Sequence, residues 1–214
     1  MDGDARSRSP KVLARDLVPA VTDEELMARF QEGSATAFDD LVDRHKRPLF
    51  AYLHRSLRNP ADADDLFQEV FAKVARAAPT WEKSARFQTW LYTIARNALI
   101  DAARRRKTHP VTSPIVAHGE DGVSEETLAS ATPSAVHVLL ESEVAAAIED
   151  LVRTLPPDQR EAFLLKREGL TFEQIGEVTG TPKNTVKSRL RYALDKLRDG
   201  LVQRGLLAVT EERS

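Results

Sequence analysis

Residues 171–198 constrain the fold of this chain more than any other segment, because they encode two helices joined by a tight turn. Thr171 and Gln174 form a capping box before a short apolar run, which predicts the start of the first helix. Gly180 can adopt the left-handed conformation that ends a helix, and Thr181 is then expected to cap the second one. Two short helices separated by such a turn predict a helix-turn-helix motif.

The second helix of this motif is amphipathic and basic. Pro182 suits its first position, where a missing N–H costs nothing. Its predicted apolar stripe consists of Val186, Leu190, Ala193, Leu194 and Leu197. The helix has basic residues at 183, 187, 189, 191, 196 and 198 and a single acid, Asp195. An αα-hairpin with a solvated basic face is the alternative, but caps, turn and charge together favour DNA binding. The predicted DNA-binding residues are Lys183, Asn184, Lys187, Ser188, Arg189 and Arg191.

Composition limits the other classes of function. The 214 residues carry a net charge of −2, so any surface that binds DNA must concentrate its positive charge locally. The absence of cysteine excludes disulfides, thiolate zinc sites and thiol redox sensing. No run approaches the roughly 20 apolar residues of a membrane span, and the N-terminus lacks a signal-peptide core. We therefore expect a cytoplasmic protein without membrane insertion.

The pattern of helices and breakers predicts an all-α protein of two small domains. The first domain is expected over residues 22–108 and the second over residues 135–206. Residues 109–134 contain several prolines, two glycines and a cluster of acids, and they are too long for a loop inside one compact domain. We predict that they form a flexible linker, that residues 1–21 form a disordered tail, and that residues 207–214 form a second tail. The five histidines lack metal-ligand spacing, so no metal site is expected.

Two surfaces of the first domain carry unusual charge. Asp65, Gln68 and Glu69 form an outward acidic strip on a predicted helix that begins near residue 62. Acids favour a helix N-terminus, which explains Asp65 better than the other two. A second helix begins at Phe87 and ends in the arginine run, Arg104, Arg105 and Arg106. Together with Lys107 this run exceeds what a helix dipole needs, so we predict contact with phosphates.

These features together resemble a bacterial sigma factor of the extracytoplasmic-function type. The segments that carry the resemblance are DADDLFQEVFAKV, TWLYTIARNALIDAARRRK, LPPDQREAF and LTFEQIGEVTGTPKNTVKSRLRYALDKLR. The resemblance implies that the first domain, region 2, binds RNA polymerase and opens the downstream promoter element. It implies that the second domain, region 4, reads the upstream element in duplex form.

The resemblance also implies roles for individual residues. The acidic strip matches the polymerase-docking helix, and Asn97 matches a base-contacting position. The loop over residues 81–86 matches a segment that captures an extruded base. The region 2 residues expected to bind DNA are Trp81, Ser84, Arg86, Arg96, Asn97, Arg104, Arg105 and Arg106. The residues that match the duplex-reading face of region 4 are Lys183, Lys187, Ser188 and Arg191.

The expected function is that of an alternative sigma factor that directs polymerase to specific promoters and helps to melt DNA. The expected partners are core RNA polymerase, promoter DNA and an anti-sigma factor, with no cofactor and no small-molecule substrate. The competing hypothesis is a stand-alone helix-turn-helix regulator that binds a two-fold operator as a dimer. An enzyme is not expected, because the sequence has no glycine-rich phosphate loop and no nucleophile–base signature.

Overall fold

A computed structural model of the chain describes residues 21–57, 59–82, 86–108 and 135–208, and every regular element in these ranges is helical. The helices are α1 (Asp23–Gln31), α2 (Ala35–Ser56), α3 (Ala63–Ala77), α4 (Phe87–Thr108), α5 (Ala135–Thr154), α6 (Pro157–Arg167), α7 (Phe172–Thr179) and α8 (Lys183–Gln203). This confirms the all-α, two-domain prediction. The predicted linker and most of both tails lie outside the described residues. Among the described helices, none combines the length and the apolar character needed to cross a membrane.

The first domain consists of α1–α4, whose apolar faces meet in one core. Helical spacing brings one side chain per turn to the same face, so each helix contributes a stripe. The fully buried side chains include Met27, Leu41, Leu49, Tyr52, Leu53, Val70, Val74, Phe87, Leu91 and Tyr92. Helix α2 continues through Pro48 as a single helix. The capping box that starts α1 is present, with Glu25 N–H donating to Thr22 Oγ1 at 3.2 Å.

Side chains of α1 determine where α4 begins. The carboxylate of Glu24 accepts a hydrogen bond from the Phe87 backbone N–H at 3.1 Å. This satisfies one of the amides left unpaired at a helix N-terminus and places negative charge at the positive end of the dipole. Gln31 donates from Nε2 to the carbonyls of Ala78 and Trp81, at 2.8 and 2.9 Å. The turn before α4 is therefore held on α1 by contacts distant in sequence.

The second domain consists of α5–α8 and contains the predicted helix-turn-helix motif. Thr171 and Gln174 form the expected capping box, and Gly180 ends α7 in the left-handed conformation at φ +66°. The prediction that Thr181 caps the next helix is wrong, because Pro182 is the N-cap residue and α8 begins at Lys183. The Thr181 hydroxyl instead shares a hydrogen bond with the Thr179 hydroxyl at 2.7 Å.

The apolar stripe of α8 is narrower than predicted. Val186, Ala193 and Leu197 are buried, as expected, but Leu194 is 50% exposed. Leu194 lies one position beyond Ala193, so it points about 100° away from the buried stripe. Its inclusion in the stripe was therefore wrong.

The two domains pack against each other. Helix α4 contacts α7, and α2 contacts α6. Gln88 donates from Nε2 to the Glu168 carbonyl across this boundary at 2.9 Å. The first helix of the helix-turn-helix motif therefore rests on the helix that carries the arginine run.

The close approach at Gly176 yields a stability prediction. A Cβ at this position would lie 2.8 Å from the Thr181 carbonyl oxygen, a backbone atom of the turn. We expect Gly176→Ala to lower the free energy of unfolding by about 1–2 kcal/mol, because overpacking outweighs the gain in helix propensity. Urea denaturation followed by circular dichroism measures this. Glu177→Ala, one residue along on the exposed face, is the matched control, and equal stability of the two variants would contradict the prediction.

Candidate nucleic-acid interface

The start of α8 presents a polar recognition face, which consists of Lys183, Asn184, Lys187, Ser188 and Arg191. All five side chains are exposed. Helix α7 supports this face, because Lys183 forms an ion pair with Glu173, and the Lys187 ammonium lies 5.7 Å from the centre of the Phe172 ring. The recognition face therefore combines ammonium, guanidinium, amide and hydroxyl groups, the types that contact phosphates and base edges.

Arg189 does not belong to this face. Its guanidinium donates to the Asp158 carboxylate of α6 at 2.6 Å, and only 25% of its side chain is exposed. The basic residues of α8 thus divide into an outward group and one that ties α8 to α6. Sequence spacing did not separate them, because Asp158 lies in another helix.

Asn97 borders a cavity between α3 and α4. Its volume is about 320 Å³, and its lining is Lys73, Arg76, Ala77, Ile94 and Asn97. Such a lining combines an amide, two cationic groups and an apolar wall. It can accept a polar planar group that is attached to a negatively charged one. Lys73 and Arg76 were missed at the sequence level. Their spacing of three residues on the helix opposite Asn97 was the available signal.

Trp81 is buried rather than presented to solvent. Only 6% of its surface is exposed, and its ring lies 6.4 Å from that of Trp90, centre to centre. The indole Nε1 has no hydrogen-bond partner among the described residues. The ring is therefore not available to an extruded base in this arrangement. Arg86 is exposed, and Ser84 lies outside the described residues.

The acidic strip of α3 is partly engaged with neighbouring bases. Asp65 and Gln68 are exposed, whereas Glu69 forms ion pairs with Lys73 and Arg105, both at 2.9 Å. Burial raises the pKa of the Glu69 carboxyl, but the hydrogen bonds from Arg105 and Lys73 outweigh it, so its pKa lies below the ordinary value. The Glu69 carboxylate is therefore charged and already paired with Lys73 and Arg105 in this structure.

The arginine run lies on the exposed end of α4, close to the acids of α3. Arg106 pairs with Asp62, and Arg105 pairs with Glu69. Arg104 is exposed. Two of the three arginines predicted to contact phosphates therefore face carboxylates in this structure, and each would exchange that partner for a phosphate on binding DNA. Such exposed pairs are weak, so the exchange is energetically small.

Arg96 contacts the second domain. Its Nε donates to the Glu161 carboxylate of α6 at 2.8 Å, and 26% of its side chain is exposed. A second boundary contact joins Arg55 of α2 to Glu149 of α5 at 2.6 Å, and Arg167 binds the same carboxylate at 3.1 Å. The predicted DNA contact of Arg96 is thus blocked while the domains are packed. In the described part of the chain, no cluster of three metal-ligating side chains is present.

Comparison with known proteins places both domains in one family. Residues 41–109 match the family described as Sigma-70 region 2, and residues 145–197 match Sigma-70, region 4. The RNA polymerase sigma factor CarQ of Myxococcus xanthus is 36% identical over 177 residues, which cover 81% of this chain and 94% of CarQ. The RNA polymerase sigma-H factor of Pseudomonas aeruginosa is 32% identical over 178 residues, which cover 81% and 92% of the two chains.

Solved structures share the fold. CnrH, determined in complex with the cytosolic domain of CnrY, aligns with a TM-score of 0.58 at 22% identity and covers 85% of this chain and 97% of its own. The sigma factor RpoE of Bartonella quintana, determined with the anti-sigma factor NepR, aligns with a TM-score of 0.59 at 22% identity and covers 77% and 96%. At 22% identity, this likeness shows a shared fold and nothing beyond it.

The Glu149 contact generates a prediction on pH. Burial raises the pKa of this carboxyl, but the hydrogen bonds and charges of Arg55 and Arg167 outweigh it and leave the pKa below the ordinary 4.5. A lowered folded-state pKa contributes stability above the unfolded-state value and loses it as pH falls through the folded-state value. At pH 7, Glu149→Gln should therefore lower the melting temperature by about 2–4 °C, and the deficit should shrink below about pH 4.

Thermal denaturation at both pH values measures the effect. Glu143→Gln, an exposed glutamate on the same helix, is the matched control and should leave the melting temperature unchanged at either pH. A deficit of equal size at both pH values would mean that the Glu149 charge does not stabilise the boundary.

Proposed function

This chain belongs to the extracytoplasmic-function sigma factors of RNA polymerase, and we propose how its residues divide the steps of transcription initiation. It is an alternative sigma factor that directs RNA polymerase, and the stand-alone regulator is not favoured. Its family is regulatory rather than catalytic. We assign residues 22–108 to region 2 and residues 135–206 to region 4, and we propose that the protein acts in the cytoplasm, where promoter DNA is found.

Region 4 reads the upstream promoter element as duplex. The observation that carries this assignment is the exposed recognition face at the start of α8, supported by α7. Lys187 and Arg191 are separated by one helical turn, so both reach the same groove. Arginine is suited to bidentate contact with guanine, and lysine to guanine or phosphate. Arg189 acts behind this face, where it holds α8 on α6.

Region 2 acts when bases leave the stack. Opening the duplex costs about 1.4 kcal/mol of stacking per step, and a pocket that accepts unstacked bases offsets this cost. The cavity beside Asn97 offers the amide and the cations Lys73 and Arg76 for that purpose, and Lys73 would exchange its pairs with Glu69 and Asp101. Trp81 would contribute a stacking surface only after its ring leaves the core. Stacking on an aromatic ring contributes about 1–3 kcal/mol per base.

The packed arrangement of the two domains must change for region 2 to engage DNA. Arg96 binds Glu161 across the boundary, so it becomes available only when the domains separate. The acidic strip, by contrast, keeps Asp65 and Gln68 exposed in the packed state. We therefore propose that polymerase engages the acidic strip first and that domain separation follows. A partner of the anti-sigma class would oppose the same transition by holding both domains.

Polymerase capture tests the acidic strip. Asp65→Lys combined with Gln68→Lys should reduce capture of core RNA polymerase by about tenfold or more, because it reverses the charge of an exposed docking surface. Glu69 is left intact, since its pairs with Lys73 and Arg105 also join α3 to α4. Co-purification with core enzyme, quantified by mass photometry, measures the change.

The matched control for this experiment is Asp39→Lys combined with Asp40→Lys. Both residues are exposed on α2, away from the strip. This control should capture polymerase normally. If the strip variant and the control behave alike, the acidic strip is a solvated face and the docking assignment is wrong.

The division of labour between the domains is tested at the level of single steps. Lys187→Ala with Arg191→Ala should weaken initial promoter binding, because each lost contact costs about 1–3 kcal/mol. Holoenzyme with Asn97→Ala should bind the promoter nearly normally but open it poorly. An artificial bubble in the template should restore transcription from that promoter. Filter binding and permanganate footprinting with holoenzyme, on a promoter selected from a library, separate the two steps.

Two features keep this experiment interpretable. Arg198→Ala, an exposed arginine further along α8, is the control for general loss of charge and should bind normally. Trp81 is left unchanged, because replacing a buried ring would disturb the core as well as the base contact. If the α8 and Asn97 variants fail at the same step, the proposed division is wrong.

A further inference from the structure

A cleft lies at the boundary between the two domains. Its volume is about 440 Å³. We call it the boundary cleft, and its lining is His54, Arg55 and Leu57 from the first domain and Arg153, Leu155, Pro157 and Arg160 from the second. Both domains therefore contribute charged and apolar groups to one partly open cleft.

Positive charge dominates this cleft. Three arginines line it, and Arg55 Nε donates at 2.6 Å to the carboxylate of Glu149, which also binds Arg167. Among the described residues, Arg160 donates to a neutral group, the Arg153 carbonyl, at 3.2 Å. Arg153 has no carboxylate within ion-pair distance in the described part of the chain. Each guanidinium has five N–H donors, so most of the donors in the cleft have no partner within the described part of the chain.

The titration of His54 reports the same positive field. Burial lowers the pKa of this imidazole, and repulsion from Arg153 and Arg55 lowers it further, against a weaker opposing effect of Glu149 and Asp64. The arginine charges thus reach the imidazole, and the nearby carboxylates do not compensate them. An anion in the cleft would reverse this balance.

The N-terminus of α6 adds to the field. Pro157, the first residue of this 11-residue helix, lines the cleft, and the N-cap Pro156 offers no side-chain hydrogen bond. The acid of the first turn, Asp158, is engaged with Arg189 of α8. The positive end of the α6 dipole therefore lies beside the cleft, and the charge of Asp158 in the same turn is offset by its pair with Arg189.

The remaining wall of the cleft is apolar. Leu57, Leu155 and Pro157 line it beside the arginines. A volume of about 440 Å³ falls within the usual range for small-molecule sites, and it exceeds what a single phosphate would fill. The lining thus suits a molecule with one strongly anionic end and one less polar end.

We propose that the boundary cleft binds a small phosphorylated organic molecule of about mononucleotide size. Phosphate is favoured over a carboxylate as the anionic group, because three guanidiniums and a helix N-terminus can supply more donors than a carboxylate accepts. Because such a ligand contacts both domains, it binds the packed arrangement more tightly than the separated one. The ligand therefore shifts the protein toward the packed state.

Calorimetric titration of the full chain tests the site, with ADP as the probe and inorganic phosphate for comparison. At about 50 mM salt, where screening is modest, ADP should bind with a submillimolar Kd. Arg153→Ala with Arg160→Ala should weaken binding about tenfold or more, because charged hydrogen bonds are lost. Inorganic phosphate should bind wild type about tenfold more weakly than ADP, since it cannot contact the apolar wall.

Controls and a second measurement make the result specific. Arg29→Ala, which removes an exposed arginine from α1, should leave ADP binding unchanged. Thermal denaturation should confirm that the double variant is folded, and Arg153→Glu provides a second variant that keeps Arg160. In NMR titrations, saturating ADP should raise the pKa of His54, against the repulsion of Arg153 and Arg55 that otherwise lowers it.

Any one of the following outcomes would overturn the proposal. They are no binding of ADP at about 5 mM, equal binding by wild type and the folded arginine variants, an unchanged pKa of His54, or equal affinity for ADP and inorganic phosphate. Equal loss of binding in Arg29→Ala would also overturn it, because binding would then reflect general charge. None of these outcomes depends on polymerase or promoter DNA, so they are separate from those that test the proposed function.

Discussion

The hydrogen bond from the Phe87 amide to the Glu24 carboxylate fixes the start of α4, and the functional residues of region 2 on that helix depend on it. A helix repeats every 3.6 residues, so its starting point and rotation determine which side chains face which neighbour. With α4 fixed in this way, Leu91 and Ala98 enter the core, Arg96 meets Glu161 of the second domain, and Asn97 borders a cavity with α3. A rotation of α4 would disrupt all three relations together.

Charge pairing within region 2 offsets part of the positive charge at the end of α4. Helices α3 and α4 carry opposite charges along facing edges, and Glu69, Lys73 and Arg105 connect them. Exposed pairs of this kind contribute little stability, but they lower the positive potential that free DNA would meet. We therefore expect low affinity for DNA at large, so that promoter specificity would depend on polymerase holding both domains against the promoter.

Local features were predictable from sequence, and long-range partners were not. The capping boxes at Thr22 and Thr171 and the left-handed Gly180 depend on residues within a few positions, so their patterns are visible in one sequence. The exposed recognition face follows from helical periodicity. The Arg96–Glu161 pair spans 65 positions, and periodicity gives no information on such a pairing. The burial of Trp81 and the Arg189–Asp158 pair were not predicted for the same reason, because partners on other helices decide them.

The buried indole of Trp81 has an energetic consequence for promoter opening. Its Nε1 has given up water without gaining a partner among the described residues, which costs about 1–3 kcal/mol relative to a satisfied N–H. This penalty is relieved as soon as the ring reaches solvent or a nucleic-acid acceptor. The folded state therefore holds the ring in a local minimum that is shallower than its burial alone would suggest. If region 2 uses this ring to capture a base, we expect the relief to offset part of the cost of moving the ring out of the core.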